Sequence, residues 1–261
     1  YAKNLIDNGI KVIDLAADFR IKNIKEWEKW YEMPHECPDI IEKAIYGLPE
    51  VNRNQIKNAQ LVANPGCYPT AIQLALVPLL KEGLIDPLSI IADAKSGISG
   101  AGKKTQDGLL LSEASENFKA YSLSGHRHQP EIEENLSQNS KNGKVRVLFV
   151  PHLLPMVRGI HATIYANCIK DFDPSKIFNN FYDKEPFVDI MKANSCPETK
   201  SVRASNVCRI SFYKVPNTQQ LVILSVIDNL VKGAAGQALQ NMNIMMGWQE
   251  TLGLELIPLT P

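Results

Sequence analysis

The feature that most constrains the fold is an alternation of strand and helix patterns in the N-terminal half of the chain. QLVANP (60–65) has the pattern of a short apolar strand, and TAIQLALVPLLKEG (70–83) that of an apolar helix. The helix pattern ends at a glycine and is followed by a second strand pattern, SIIADAKSG (89–97). Strand–helix–strand alternation is typical of a parallel sheet covered by helices. The sequence therefore predicts an α/β unit, to which KVIDLAADFR (11–20) adds an earlier strand.

The second half of the chain has a different pattern. Its β-rich segments show alternating apolar positions and are joined by longer polar loops; they are KVRVLFVPHL, GIHATIYANCIK, SNVCRISFYKV and QQLVILSVID. This pattern predicts an antiparallel or mixed sheet in a second domain. The last periodic segment, DNLVKGAAGQALQNMNIMMGW (228–248), predicts a helix whose small residues permit close backbone contacts.

Composition restricts the class of function. The 261 residues are 44% hydrophobic and 21% charged, and Lys+Arg equals Asp+Glu at 28 each, so no net charge favours nucleic acid or an anionic membrane. The longest apolar runs are too short to span a bilayer. We therefore expect a small-molecule substrate. The five cysteines form no C-x-x-C pair, and with no secretory signal visible they predict a reducing, cytoplasmic location.

Cys67 is the first candidate for catalysis. It follows the turn residues Asn64-Pro65-Gly66 at the point where the apolar helix starts, and Pro69 suits a first helical turn. A helix N-terminus stabilises a thiolate through its backbone N–H groups and its dipole, so the pKa of a thiol there is expected to be low. The alternative is a cysteine that only packs, because cysteine is among the most buried residue types.

A nucleophilic thiol needs a partner that handles its proton. His126 and His128 lie in SGHRHQPE, a polar loop that precedes a predicted helix carrying Glu131 and Glu133. A loop histidine flanked by charged residues suits acid–base catalysis, whereas His161 lies within a predicted strand and is expected to pack. The H-x-H pair lacks a third ligand nearby in the sequence, so no metal site is predicted.

The loop GISGAGKK (97–104) comes within one residue of a phosphate-binding P-loop, but Lys104 stands where a Ser or Thr would hold magnesium. We interpret it as a loop whose backbone amides approach a phosphate or a nicotinamide amide. Arg20 follows a strand at the edge where parallel sheets bind ligands, which suits contact with an anion. A surface ion pair with Asp18 or Glu26 is the alternative, and Arg158 in PMVRGI is a similar case.

Together these segments resemble the N-acetyl-gamma-glutamyl-phosphate reductase family of the aspartate-semialdehyde dehydrogenase superfamily. VANPGCYPTAIQLALVP matches the active-site pattern of that family along its length. DLAADFR and YGLPE precede it, and SGISGAGKK, GHRHQPEIE, PHLLPMVRGI and DNLVKGAAGQALQN follow it in the family's order. The resemblance covers nearly all of residues 10 to 248.

The resemblance implies the NADPH-dependent reduction of N-acetyl-glutamyl 5-phosphate to its semialdehyde and phosphate, in arginine biosynthesis. Cys67 would form a thioester, His126 would act as the acid–base, and His128 would assist or contact the substrate. Arg20 would hold the leaving phosphate, and Arg158 is a further substrate-binding candidate. The residues expected to contact NADP(H) are Ser96, Gly97, Gly100 and Asn229.

For the fold, the resemblance implies a truncated Rossmann-type parallel sheet domain and a second, mixed or antiparallel sheet domain for catalysis and dimerisation. Residues 1–66 and 227–261 would form the rest of the NADP-binding domain and 67–226 the second, in a homo-dimer or homo-tetramer. The family's G-x-x-G-x-x-G turn does not precede Tyr1. We therefore expect missing adenosine contacts and little turnover by these residues alone.

Three alternatives remain at the level of sequence. An aspartate-semialdehyde dehydrogenase shares the expected fold and mechanism, although GHRHQPEI and PHLLPMVRGI argue against it. Cys67 and His126 would also suit an acyl-transfer or hydrolytic enzyme without nicotinamide. A non-enzymatic binding module would use Cys67 only for packing.

Overall fold

The computed structural model describes residues 1–102 and 110–258. Lys103 and Lys104 of the glycine loop lie outside these ranges. Within them the α-helices are α1 (Ala2–Asp7), α2 (Ile24–Tyr31), α3 (Pro49–Lys57), α4 (Cys67–Lys81), α5 (Leu111–Ala114), α6 (His128–Gln138), α7 (Pro174–Tyr182) and α8 (Gly236–Met246). The 3₁₀ turns are Pro38–Lys43, Ile98–Ala101 and Thr199–Val202, and a π-helical turn at Val231–Ala235 leads into α8.

The strands form two separate sheets. They are β1 (Val12–Asp14), β2 (Ala44–Tyr46), β3 (Leu61–Ala63), β4 (Ile90–Gly97), β5 (Lys119–Ala120), β6 (Val147–Leu154), β7 (Ile160–Asn167), β8 (Val188–Ile190), β9 (Cys208–Lys214) and β10 (Gln220–Ile227). The described strands of the first sheet have the order β1-β3-β2 and are all parallel. The second has the order β5-β6-β4-β7-β10-β9-β8.

The second sheet is mixed, as the sequence predicts. Pairs β4–β6 and β8–β9 are parallel, and the other pairs are antiparallel. The predicted combination of a parallel sheet and a mixed sheet with helices is therefore confirmed. Strands β3 and β4 lie in different sheets, because α4 crosses from the first sheet to the second.

Helix α4 is the central packing element. The thirteen residues from Tyr68 to Leu80 are all buried, so this helix is apolar on every side. It packs in the same hydrophobic core as β7, β10 and α6. A nucleophile at its first residue is consequently fixed by the largest core of the molecule.

The first sheet is covered on two sides. One core contains Ile6, Phe19 and Ile41, and the other packs Val62 against Ile244 and Met245 of α8. The C-terminal helix therefore returns to the N-terminal sheet. No helix in residues 1–102 or 110–258 is both long and apolar enough to cross a membrane.

Candidate functional site

Cys67 is the first residue of α4. Gly66 has extended backbone angles and caps the helix, and its carbonyl accepts hydrogen bonds from the Thr70 backbone N–H at 3.0 Å and hydroxyl at 2.9 Å. The helix thus begins three residues before the apolar pattern suggested, because Pro69 fits within its first turn. The thiol lies at a helix N-terminus, as the sequence predicts.

The pKa of this thiol differs from the expectation. Burial raises the pKa of Cys67 to about 11, while the backbone N–H of Tyr68 and the charge of Arg20 act in the opposite direction. The prediction of a lowered pKa was therefore wrong, since desolvation exceeds the stabilisation from the helix N-terminus. The thiol is protonated at neutral pH, and an attack on substrate requires a base.

Two clefts meet at Cys67. The large cleft, of about 820 Å³, is bounded by the end of α2, the start of α4 and the loop before α6. The small cleft, of about 340 Å³, lies on the other side and includes Asn229, Leu230, Gly233 and Ala234. Both clefts are lined by the same four residues: Arg20, Cys67, Gly100 and His128. A group on the sulfur of Cys67 is thereby accessible from two sides.

The two histidines occupy different positions. His128 is the first residue of α6. Its ring packs so closely on Gly66 that a methyl group added to Gly66 would lie 2.6 Å from the Nε2 atom of His128. His126 lines only the large cleft of the two, and its Nδ1 accepts the His128 backbone N–H at 3.0 Å. Burial lowers the pKa of His126 to about 4, with a contribution from Arg127. Burial also lowers the pKa of His128 well below its ordinary value, assisted by His126 and Arg20.

Arg20 is held by the nucleophile segment itself. Its Nε donates to the Asn64 carbonyl and its Nη2 to the Leu15 carbonyl, both at 2.7 Å. Its Nη1 lies 3.7 Å from Oε2 of Glu131, a side chain that is 1% exposed. The sequence left a surface ion pair with Asp18 or Glu26 open as an alternative role for Arg20, whereas its carboxylate partner is the buried Glu131 of α6.

Glu131 is the main residue that the sequence reasoning did not assign. Its Oε1 accepts the Gly66 backbone N–H at 2.8 Å and the Tyr46 hydroxyl at 2.8 Å. It therefore joins α6, β2 and the cap of α4. The signal was present, because the same GHRHQPEIE segment supplies both the histidines and this glutamate.

Of the cofactor candidates, Gly100 and Asn229 line the small cleft, whereas Ser96 and Gly97 are in the lining of neither cleft. Asn229 donates from Nδ2 to the Ser99 hydroxyl at 3.0 Å and accepts the Gly159 N–H at 2.7 Å. Ser96 is buried, and a methyl group on Gly100 would lie 2.4 Å from its hydroxyl oxygen. Gly97 is also enclosed, since a methyl group there would lie 2.8 Å from the Met156 carbonyl.

The backbone of Arg158 packs on Gly97, since a methyl group on Gly97 would lie 2.8 Å from the Arg158 nitrogen. Arg158 does not belong to the lining of either cleft, and its Nη1 lies 3.2 Å from the buried Asp228 carboxylate. Helix α2 carries three aromatic residues. Trp27 is buried and stacks on Tyr31, whereas Trp30 and Tyr31 line the large cleft.

Profiles of known families match both parts of the chain. The NAD binding domain of semialdehyde dehydrogenases matches residues 1–59, and their dimerisation domain matches residues 67–229. Aspartate semialdehyde dehydrogenase II from Vibrio cholerae has the same fold, with a TM-score of 0.70 at 16% identity over 94% of this chain and 75% of that chain. The aspartate semialdehyde dehydrogenase from Candida albicans, solved with NADP, has a TM-score of 0.62 at 13% identity over 94% of this chain and 73% of that chain. The fold is that of the semialdehyde dehydrogenase class.

Closer relatives define the family. The N-acetyl-gamma-glutamyl-phosphate reductase of Nitrosomonas europaea is 58% identical over 100% of this chain and 76% of the relative. The reductases of Laribacter hongkongensis and Pseudomonas paraeruginosa are 56% and 54% identical, again over 100% of this chain and 76% of each relative. The chain belongs to the N-acetyl-gamma-glutamyl-phosphate reductase family.

Proposed function

We propose that this chain carries out the NADPH-dependent reduction of N-acetyl-glutamyl 5-phosphate to N-acetyl-glutamate 5-semialdehyde and phosphate, a step of arginine biosynthesis. The observation that carries the proposal is the position of Cys67, at a helix N-terminus where two clefts meet. An acyl phosphate in the large cleft and a nicotinamide in the small cleft would reach the same sulfur from opposite sides.

The chemistry of the chain begins at the thiol. The Cys67 sulfur attacks the acyl carbon, the carbon–oxygen bond to phosphate breaks with its electron pair, and a thioester remains. Because the thiol is protonated, its proton must pass to a neighbouring base. The sequence assigned this task to His126, with His128 as a helper. The contact of His128 with Gly66 supports His128 as the first acceptor.

Residues around the small cleft fit the nicotinamide end of NADPH. Methyl groups on Gly100 or Gly233 would clash with the Ser96 hydroxyl or the Cys67 Cβ atom at 2.4 and 2.7 Å, so glycine lets these segments pack closely at the edge of the small cleft. We propose that Ser96, Gly97, Gly100 and Asn229 form this part of the cofactor site. When bound, NADPH supplies the hydride that reduces the thioester. Collapse of the resulting hemithioacetal on Cys67 releases the aldehyde and restores the thiol.

Two arginines remain candidates for substrate binding. Arg20 lines both clefts, and we propose that it stabilises the departing phosphate from its fixed position beside Asn64. We propose Arg158 only as a more distant contributor, because its guanidinium lies against Asp228.

We further propose that residues 1–66 with 227–261 form the cofactor-binding unit and 67–226 the catalytic unit. The packing of Ile244 and Met245 against Val62 supports this division.

A second copy of the chain is the proposed partner. The chain matches a dimerisation domain, and one face of the seven-stranded sheet exposes large apolar side chains, including Ile91, Leu148 and Tyr165. We propose a homo-dimer or homo-tetramer that covers this face. The cytoplasm is the proposed location, supported by the five free cysteines.

The reverse reaction gives a decisive test. The protein is mixed with N-acetyl-glutamate semialdehyde, NADP and phosphate or arsenate. We expect a burst of NADPH absorbance, and much slower formation with aspartate semialdehyde. Faster turnover of aspartate semialdehyde would favour the dehydrogenase alternative. A thioester without NADPH formation would favour acyl transfer without nicotinamide.

Replacing the nucleophile tests the assignment of Cys67. Cys67→Ala is expected to lower kcat by at least about 1000-fold, because loss of a nucleophile removes the covalent route. Cys37→Ala is the matched control, since Cys37 is also a partly exposed thiol but lies outside the lining of both clefts. Full activity of the Cys67→Ala variant would show that Cys67 serves only in packing.

A further inference from the structure

His126 has a hydrogen bond that fixes its protonation. Its Nδ1 accepts the backbone N–H of His128 at 3.0 Å, at the first residue of α6. A backbone N–H only donates, so Nδ1 must carry a lone pair rather than a proton. In the neutral ring the proton is therefore on Nε2. The local fold selects one tautomer without a carboxylate to orient the ring.

The surroundings of His126 also oppose a positive charge. Protonation would place an Nδ1–H against the His128 N–H, and the bond at the start of α6 would be lost. The ring packs against Tyr68, Tyr121 and Phe149, with centroids 5.9, 5.7 and 5.4 Å away. Its titratable or charged neighbours in the described chain are Tyr68, Tyr121, His128 and Arg127. None of these is an anion at neutral pH.

His128 differs from His126 in its position. The Nε2 edge of its ring packs on Gly66, beside the nucleophile, and it lines both clefts with Cys67. Its buried Nδ1 has no hydrogen-bond partner within the described part of the chain. The Nε2 atom of His128 therefore lies beside the nucleophile, and His126 lines the large cleft from a position two residues earlier.

We propose that His126 acts as a permanently neutral hydrogen-bond donor, whose Nε2–H stabilises the substrate carbonyl oxygen as it becomes negative. When the sulfur–carbon bond forms, the carbonyl electron pair moves to oxygen and the thiol proton passes to His128. The carbonyl then re-forms and phosphate leaves. This inference rests on the proposed function and replaces the acid–base role that the sequence assigned to His126.

The tautomer is testable without any turnover. Protein labelled with ¹⁵N-histidine is titrated between about pH 5.5 and 8.5, the range in which an ordinary histidine changes charge. The His126 signals are identified by their loss in a His126→Gln variant. We expect a protonated Nε2 and an unprotonated Nδ1 throughout. An imidazolium pattern for His126 inside this range, or a protonated Nδ1, would overturn the inference.

Kinetics then separate a donor from a base. His126→Ala should lower the rate of phosphate release from the acyl phosphate by about 100- to 1000-fold, the usual effect of losing an oxyanion donor. His126→Gln retains an N–H donor and should recover at least about tenfold of that loss, with an unchanged pH profile. His128→Gln should instead remove the acidic limb of the profile, which is the fall in rate at low pH that protonation of the base causes.

The outcomes distinguish this inference from the proposed function. If the wild-type protein released no phosphate, the proposed function would fail while the NMR result on His126 still stood. If His126→Gln were as slow as His126→Ala and lost the acidic limb, His126 would be the base and the donor role would be wrong.

Discussion

Two buried ionic clusters hold the backbone on opposite sides of Cys67, and they do so differently. The Glu131 cluster comprises Arg20, Tyr46, Gly66 and Glu131, and it bonds directly to the residue that caps α4. The Lys232 cluster comprises Glu50, Lys232 and Gln240, extended by Arg53, Glu185 and Glu250. It contacts Cys67 only through the main chain of the π-helical turn.

The central pair of the Lys232 cluster has completely buried side chains. Lys232 and Glu50 are both 0% exposed, and the Lys232 ammonium donates to Glu50 at 2.6 Å and to Gln240 at 2.8 Å. Gly233, the next residue, packs on the Cβ atom of Cys67. π-Helical turns are frequent at functional sites. Here the turn places a charged side chain in the core and a glycine against the nucleophile.

This difference between the clusters separates an effect on the stability of the fold from an effect on the geometry of the site. A buried ion pair far from the substrate mainly determines whether the fold is stable, because an unpaired charge in the core is costly. A carboxylate that bonds the nucleophile's own cap determines where the sulfur lies. We therefore expect the Lys232 cluster to affect unfolding and the Glu131 cluster to affect catalysis.

The largest effect is expected from breaking the Lys232–Glu50 pair. Lys232→Met keeps the volume but leaves Glu50 buried without its cation, and the free energy of unfolding should fall by about 3–5 kcal/mol. The double variant Lys232→Met, Glu50→Gln should recover most of that loss in urea denaturation. Loss of more than about 100-fold in kcat while the single variant is still folded would contradict the comparison.

The next effect should be on catalysis. Glu131→Gln is similar in size but removes the negative charge that Arg20 and the Gly66 N–H share, so the cap of α4 can shift. We expect kcat to fall about 100-fold, with a smaller loss of stability than for Lys232→Met. Glu134→Gln is the matched control on α6, because Glu134 bonds Lys22 and Asn23 and not the α4 cap.

The Glu131→Gln variant should also change how stability depends on pH. Burial raises the pKa of Glu131, so the folded chain retains this proton at a pH where the unfolded chain has lost it. Its contribution to stability therefore falls as pH rises from about 4.3, the ordinary glutamate value, through the higher folded value. Glu131→Gln should reduce this slope in urea titrations, and an unchanged slope would place the ionisation elsewhere.

The smallest effect should come from adding a methyl group at Gly233, which packs on Cys67 between the two clusters. Gly233→Ala adds a methyl group 2.7 Å from the Cβ atom of Cys67, whereas Gly236→Ala crowds Asn206 and Val231 on the far side of the turn. Both should lose about 1–3 kcal/mol of stability by overpacking. Only Gly233→Ala should slow iodoacetamide alkylation of Cys67, by about tenfold, when measured by peptide mass spectrometry. If both variants slowed alkylation equally, the effect would not depend on the contact between Gly233 and Cys67.

The sequence determined the elements and the chemical candidates. The apolar periodicity of α4 and the alternation in β6, β7, β9 and β10 are local properties, so these elements were found within a few residues. Cys67, His126 and His128 were selected because reactive side chains in turn-rich segments are visible without coordinates.

Tertiary structure decided which residues act together. Glu131, Tyr46 and Gly66 are far apart in the sequence, and nothing local indicates that one carboxylate would bond the cap of α4. The assignment of β3 and β4 to different sheets likewise depends on what α4 packs against.

Protonation was also decided by packing. The sequence placed Cys67 at a helix N-terminus, which alone favours a thiolate, but burial raises its pKa to about 11. His126 was recognised as a cleft histidine, yet only the bond from the His128 N–H shows which of its nitrogens carries the proton. A sequence shows which groups can ionise. Their protonation state is set by desolvation and hydrogen bonds, and both come from neighbours that folding brings together.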